Sequence, residues 1–128
     1  MDAPALMDAL VQLKRIYTAL NEALDLTRQL AETVDRDDEI STQMLVSMRQ
    51  EPTDKLAQAY QALEEQRRSL PADAAARLGA LLKGTEAETE EEVPLAVQVG
   101  ANQRVLKQLV ELDRVVNRKL ARGKSIYQ

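Results

Sequence analysis

The chain has 128 residues, a net charge of −4 and neither cysteine nor histidine. That length suits one domain, and the missing residues exclude disulfides, thiolate zinc sites and the side chain most used as general base or metal ligand. Phe and Trp are absent and only Tyr17, Tyr60 and Tyr127 carry aromatic rings, so the apolar content rests on Leu, Val and Ala, which suits helices packed along narrow seams. An all-α fold of long helices is expected. No apolar run approaches the roughly 20 residues of a membrane span, and Asp2 stands where a secretory signal carries Lys or Arg, so a cytoplasmic protein is expected.

The first helix is predicted over about residues 4–35. Leu6, Leu10, Leu13, Tyr17, Leu20, Leu24, Thr27, Ala31 and Val34 keep a 4-3-4-3 spacing without a slip, as a seam against a partner helix requires. Pro4 sits near the start, where its missing N–H costs little, and "VDRDDE" at 34–39 supplies the stop. Asp37 or Asp38 is placed to cap a second helix, with Glu39 favourable at its N-terminal dipole. The apolar positions of that helix are Ile40, Met44, Leu45, Met48, Leu56, Tyr60, Leu63 and Leu70, with Pro52 interrupting them at "RQEPTDKL". Positions 45, 48, 52, 56, 59, 63, 66 and 70 form one 3-4 series through the proline, which favours a single helix over 38–69, kinked at Pro52, over two separate ones. Met44 and Met48, one turn apart, read first as core and second as an adaptable partner contact.

In "LPADAAARLGALLKG", Pro71 is placed to open a short helix over about 72–83. Leu78, Leu81 and Leu82 give it an apolar edge, and Gly84 suits a left-handed stop. The run "TEAETEEEVP" holds five glutamates within residues 86–92, read as a solvated stretch that also favours a helix N-terminus. The last helix is expected over about 94–122, stopping at Gly123, with Leu95, Val99, Asn102, Leu106, Leu109, Val116 and Leu120 on one side, flanked by Val105 and Leu112. The expected architecture is an elongated antiparallel bundle or coiled coil of three long helices and one short one, in a single domain spanning 1–128.

Chemistry-bearing patterns are few. Adjacent carboxylates such as Glu64 with Glu65 lie in polar runs and read as solvent-facing rather than as a catalytic pair. A di-metal carboxylate bundle needs Glu-x-x-His pairs, and the glycines are too scattered for a phosphate loop. Neither enzymatic activity nor a cofactor or metal site is expected. Asn102, inside an apolar stripe, reads as a register-setting residue, with contact to a partner's backbone as the other reading. Residues 102–128 carry seven cations against two anions, a local +5 in an acidic chain. Dipole complementarity explains the last turn but not Arg104 or Lys107. An amphipathic helix that docks an acidic partner helix accounts for both stripe and charge. Binding to nucleic acid or an anionic membrane surface is the weaker reading, because basic nucleic-acid faces are interleaved with aromatics.

The chain resembles the FlgN-type flagellar export chaperones. The likeness lies in the Leu-rich first helix "LVQLKRIYTALNEALDLTRQL", the second with an Arg before a polar stretch, "MLVSMRQEPTDKLAQAYQAL", and the C-terminal "ANQRVLKQL" and "GKSIYQ". In the family the closing Tyr is often followed by a Gly-containing tail, whereas Gln128 follows Tyr127 here. The resemblance implies a cytoplasmic chaperone without cofactor or catalysis. It would bind the C-terminal helical segment of hook–filament junction subunits, keep them unpolymerised and deliver them for export. The expected partner-binding residues are Asn102, Val105, Leu106, Leu109, Leu112, Val116 and Leu120, with Arg114 and Arg118 steering and Tyr127 at the end. On this reading residues 101–128 form an arm whose removal leaves the first two helices folded. The alternative is a structural coiled-coil protein or homo-oligomer with no export role.

Overall fold

A computed structural model describes the backbone of residues 1–127 and the side chains of residues 1–122. The chain is all-α, with helices α1 (Ala3–Asp35), α2 (Glu39–Met48), α3 (Gln50–Ser69), α4 (Ala72–Leu82) and α5 (Val93–Tyr127), and no strand among the described residues. At 1.5 Å per residue α1 is a rod of about 50 Å. Asp2 caps it by accepting from the Ala5 N–H at 2.9 Å, and Pro4 lies in the first turn.

The stop after α1 is built by backbone bonds. Asp38 N–H donates to Thr33 C=O at 2.9 Å and Asp37 N–H to Val34 C=O at 3.1 Å, with Asp37 in the left-handed region at φ 56°. The same paired bonds end α4, where Thr85 N–H donates to Ala80 C=O and Gly84 N–H to Leu81 C=O, with Gly84 at φ 104°. Gly84 occupies the left-handed position at no steric cost, whereas Asp37 carries a Cβ there. Asp38 then caps α2 by accepting from the Ser41 N–H at 3.1 Å.

Between α2 and α3 a single residue, Arg49, leaves the helical pattern. Pro52 has no N–H to offer the Met48 carbonyl four residues back. The neighbouring bonds survive, Arg49 N–H to Leu45 C=O at 3.1 Å and Thr53 N–H to Arg49 C=O at 3.2 Å, so the arm bends without unravelling. Leu45, Pro52, Ala59 and Leu63 of the 3-4 series are buried, and Gln66 reaches across to the Ala5 carbonyl at 2.7 Å. Ile40, Met44, Met48 and Tyr60 are exposed instead, because α1 covers only one side of this arm.

The α2–α3 arm runs antiparallel to α1, fastened by Thr42 Oγ1–H to Thr33 Oγ1 at 2.9 Å near one end and by Lys55 to Glu22 further along. After α4 turns the chain, α5 returns parallel to α1 and makes the most extensive contact in the molecule with it. No Cα of α2 or α3 lies within 8 Å of one in α5 among the described residues. The central helix therefore has two partners rather than one, and its buried arc is wider than a heptad seam. Ile16 and Leu30 are fully buried along with Ala9 and Ala19, while Tyr17 of the expected seam is exposed.

The acidic run is not wholly solvated. Glu90–Glu92 forms a 3-10 turn leading into α5, and Glu92 is buried. Its carboxylate takes two bonds from Arg77 of α4, at 2.7 and 3.0 Å, and one from the Glu88 N–H at 2.9 Å. The Arg77 hydrogen bonds, with the Glu88 N–H behind them, hold the Glu92 carboxyl down at about 2. A depressed carboxyl stabilises the fold above its unfolded-state value and loses that contribution as pH falls through the folded one. Replacing Glu92 with Gln is expected to cost about 2 kcal/mol near neutral pH. The gap to wild type should close between about pH 4.5 and pH 2 in urea titrations; a gap that persists at the acid end assigns the effect to packing. Asp37→Gly should act in the other direction, raising the unfolding free energy by about 0.5–1 kcal/mol, read as a higher urea midpoint at unchanged m value, since it relieves the left-handed strain.

Candidate partner-binding surface on the C-terminal helix

α5 carries two faces with different uses. The inner face packs on α1. Leu95, Val99 and Val116 are buried, and Val105, Leu109, Leu112 and Leu120 are half-buried. Asn102 is buried among them, and its Nδ2–H donates to the Leu13 carbonyl at 2.9 Å while its Oδ1 accepts from Gln98 at 3.0 Å. Both halves of the amide are thus satisfied inside the chain, which is the register-setting use. Lys119 extends the alignment by pairing with Asp35 at 2.6 Å.

One edge of α5 faces the gap toward α3. Gln103, Leu106, Val110 and Asp113 follow a 3-4-3 spacing, so they share a stripe. Gln103 donates to the Lys83 carbonyl beyond α4 at 3.4 Å, and Asp113 accepts from Arg49 at 2.8 Å, with Arg49 also donating to Thr27 Oγ1 at 3.3 Å. Leu106 and Val110, between these two bridges, are each 40% exposed. On the opposing arm, Arg49, Leu56 and Tyr60 lie along one stripe; Leu56 is half-buried and Tyr60 exposed at the ring's edge. Partial burial pushes the Tyr60 phenol up. No Cα of α3 lies within 8 Å of one in α5 among the described residues, so these two backbones do not pack directly against each other.

The outer face of α5 is basic. Arg104, Lys107, Glu111, Arg114, Arg118 and Arg122 recur every three or four residues and are all exposed. Among the described residues none of these five cations forms a salt bridge, whereas Arg49, Lys55, Arg67, Arg68, Arg77 and Lys119 all do. The carboxylates within reach are few because Glu111 is alone on the face and Asp113 is taken by Arg49.

The ten residues expected to bind a partner therefore separate. Asn102 and Val116 are committed to α1, and Val105, Leu109, Leu112 and Leu120 are covered by it on one side. Leu106, Arg114 and Arg118 face out, and the Tyr127 side chain lies outside the described residues. The sequence reading missed Val110, Lys107 and Tyr60 as neighbours of the exposed set. The repeat 107, 114, 118 was visible as spacing, but the gap that exposes Leu106 and Val110 depends on how α3 sits. Among the described residues there is no cluster of acidic side chains arranged to hold a metal ion, and no helix is long and apolar enough to cross a membrane. The chain matches no protein-family model, no curated protein and no solved structure.

The burial of α5 changes what its removal should do. A chain ending at residue 100 loses Asn102 and Val116 and uncovers Leu30 and Leu13, so it should lose the cooperative thermal transition in far-ultraviolet circular dichroism. A truncated chain that still melts cooperatively at high helix content makes α5 a separable arm.

Proposed function

We propose that the protein is a non-catalytic helix-binding module that captures an acidic amphipathic helix of a partner protein along the outer half of α5. The observation that carries this reading is the row of five cations that form no salt bridge among the described residues, running beside exposed Leu106 and Val110. A helix with an apolar stripe and flanking carboxylates complements both features, the stripe lying along Leu106 and Val110 and the carboxylates meeting Lys107, Arg114 and Arg118. The resemblance to FlgN-type export chaperones supplies the partner class: the C-terminal helical segment of a flagellar hook–filament junction subunit, held unpolymerised in the cytoplasm until export. Subunits that polymerise by helix pairing present apolar seams, and covering such a seam with a preformed helical surface blocks pairing without chemistry. The grip would use the outer and lateral faces of α5, leaving its inner stripe on α1.

A second reading is supported by the burial of that inner stripe: a self-contained structural bundle with no external partner. The two readings separate on one titration. A fluorescent peptide matching the C-terminal segment of a junction subunit should bind with an affinity that falls as salt rises. The double variant Arg114→Glu with Arg118→Glu should keep its helix content and melting temperature while losing roughly tenfold or more in affinity. Binding by this variant equal to wild type removes the basic face from the function. Absence of binding by the wild type favours the structural bundle.

A further inference from the structure

A second exposed surface lies away from α5. Ile40, Met44 and Met48 stand one turn apart along α2 and are 83%, 57% and 49% exposed. Isolated surface hydrophobics are ordinary, but three in one line are a continuous stripe. The stripe opens at Met48 onto a groove of about 890 Å³ between α1 and the α2–α3 bend, with Leu26 and Pro52 among its apolar lining. Its rim is acidic. Glu22, Asp25, Glu51 and Asp54 line it against the single cation Lys55, which pairs with both Glu22 and Glu51.

We propose that this groove and the Ile40–Met44–Met48 stripe form a docking surface for a basic amphipathic helix of another protein. The sign of the charge selects the occupant: an acidic helix would bring like charges to a rim whose one lysine is already neutralised. Methionine selects the form of the contact, since flexible thioether side chains repack around apolar anchors of differing shape. A stripe from Ile40 to Asp54 is about 21 Å long, close to four turns of an incoming helix. The basic face of a second copy of this chain is a poorer occupant. Asn102 of α5 bonds Leu13, and Glu22 of the groove lies nine residues further along α1, half a turn around it. The two surfaces therefore point in opposite directions, and joining copies through them leaves one of each free at every step. This site does not depend on the partner proposed for α5.

The four methionines supply the test. The probe is a synthetic 20-residue helix with leucines at 3-4 spacing and lysines beside them, and its twin carries glutamates in place of the lysines. With methyl-labelled methionine in the full chain, the lysine peptide should shift the Met44 and Met48 resonances saturably. Met7, 61% exposed and about 22 Å along α1 from Glu22, should not respond. The glutamate twin should leave Met44 and Met48 unmoved. Because both methionines are exposed, Met44→Gln with Met48→Gln should fold normally and bind the lysine peptide roughly tenfold or more weakly. Equal shifts at Met7, unsaturable shifts, or wild-type affinity in the double variant would overturn the proposal. Shifts of Met44 and Met48 that grow with protein concentration alone, with a dimer in sedimentation, would overturn it in favour of a second copy.

Discussion

The alignment of α5 on α1 is the constraint on which the remaining structure depends, and a buried amide sets it. Burying Asn102 costs free energy unless its polar atoms find partners; Gln98 on its own helix serves the amide oxygen at any alignment, whereas the amide N–H depends on the Leu13 carbonyl of α1. A leucine there would pack against many alignments of an Ala- and Leu-rich rod. With Asn102 seated, Asp113 falls opposite Arg49 and Lys119 opposite Asp35, so the ion pairs follow from the alignment rather than create it. Those pairs are partly exposed and individually weak. Their value lies in closing the far end, where the apolar contact shrinks to Leu30, Leu45 and Val116 with a few half-buried neighbours.

The near end is closed by a different device. The connection from α4 to α5 has few apolar residues, and the Glu92–Arg77 pair takes the place of a hydrophobic contact there. Arg77 also donates to the Glu86 carbonyl at 2.9 Å, so one guanidinium ties the acidic segment to α4 at two points. The short α4 packs on α3 and α5 and adds Leu78 and Leu81 to the core shared with α1.

Much of this could be read from the residues, and the exceptions have identifiable causes. Gly84 was legible because a left-handed helix stop is a local backbone rule, whereas the single helix expected over 38–69 is divided at Arg49, three residues before the proline. Tyr17 was misplaced, and Ile16 and Leu30 were passed over, because a heptad pattern assumes one partner, whereas α1 has two and buries an arc that includes the intervening alanines. Glu92 was hidden in a run of identical charges, where nothing periodic marks the one residue that meets an arginine fifteen positions earlier. In α5 the amphipathic pattern was plain, but a pattern does not say whether its apolar side faces the chain's own core or a partner. Most of that side faces α1, and the residues left for recognition are those on its edges. The outward cations could be read as a surplus of charge; that they form no salt bridge among the described residues could be seen only once the neighbouring carboxylates were placed.

The distribution of charge then constrains how such a molecule works. An acidic groove over α1 and the α2–α3 bend and a basic face on α5 lie on opposite sides of one rigid rod. In the proposed roles, a helix held on α5 and a helix held on the groove are of opposite charge and do not compete for the same surface. Two helices bound this way are kept apart by the thickness of α1, which prevents them from pairing with each other. The same separation argues against mutual closure of two copies, since neither surface can reach its complement within its own pair. In the proposed roles, one chain with two outward faces carries a helix on one while presenting the other to a second helix of opposite charge.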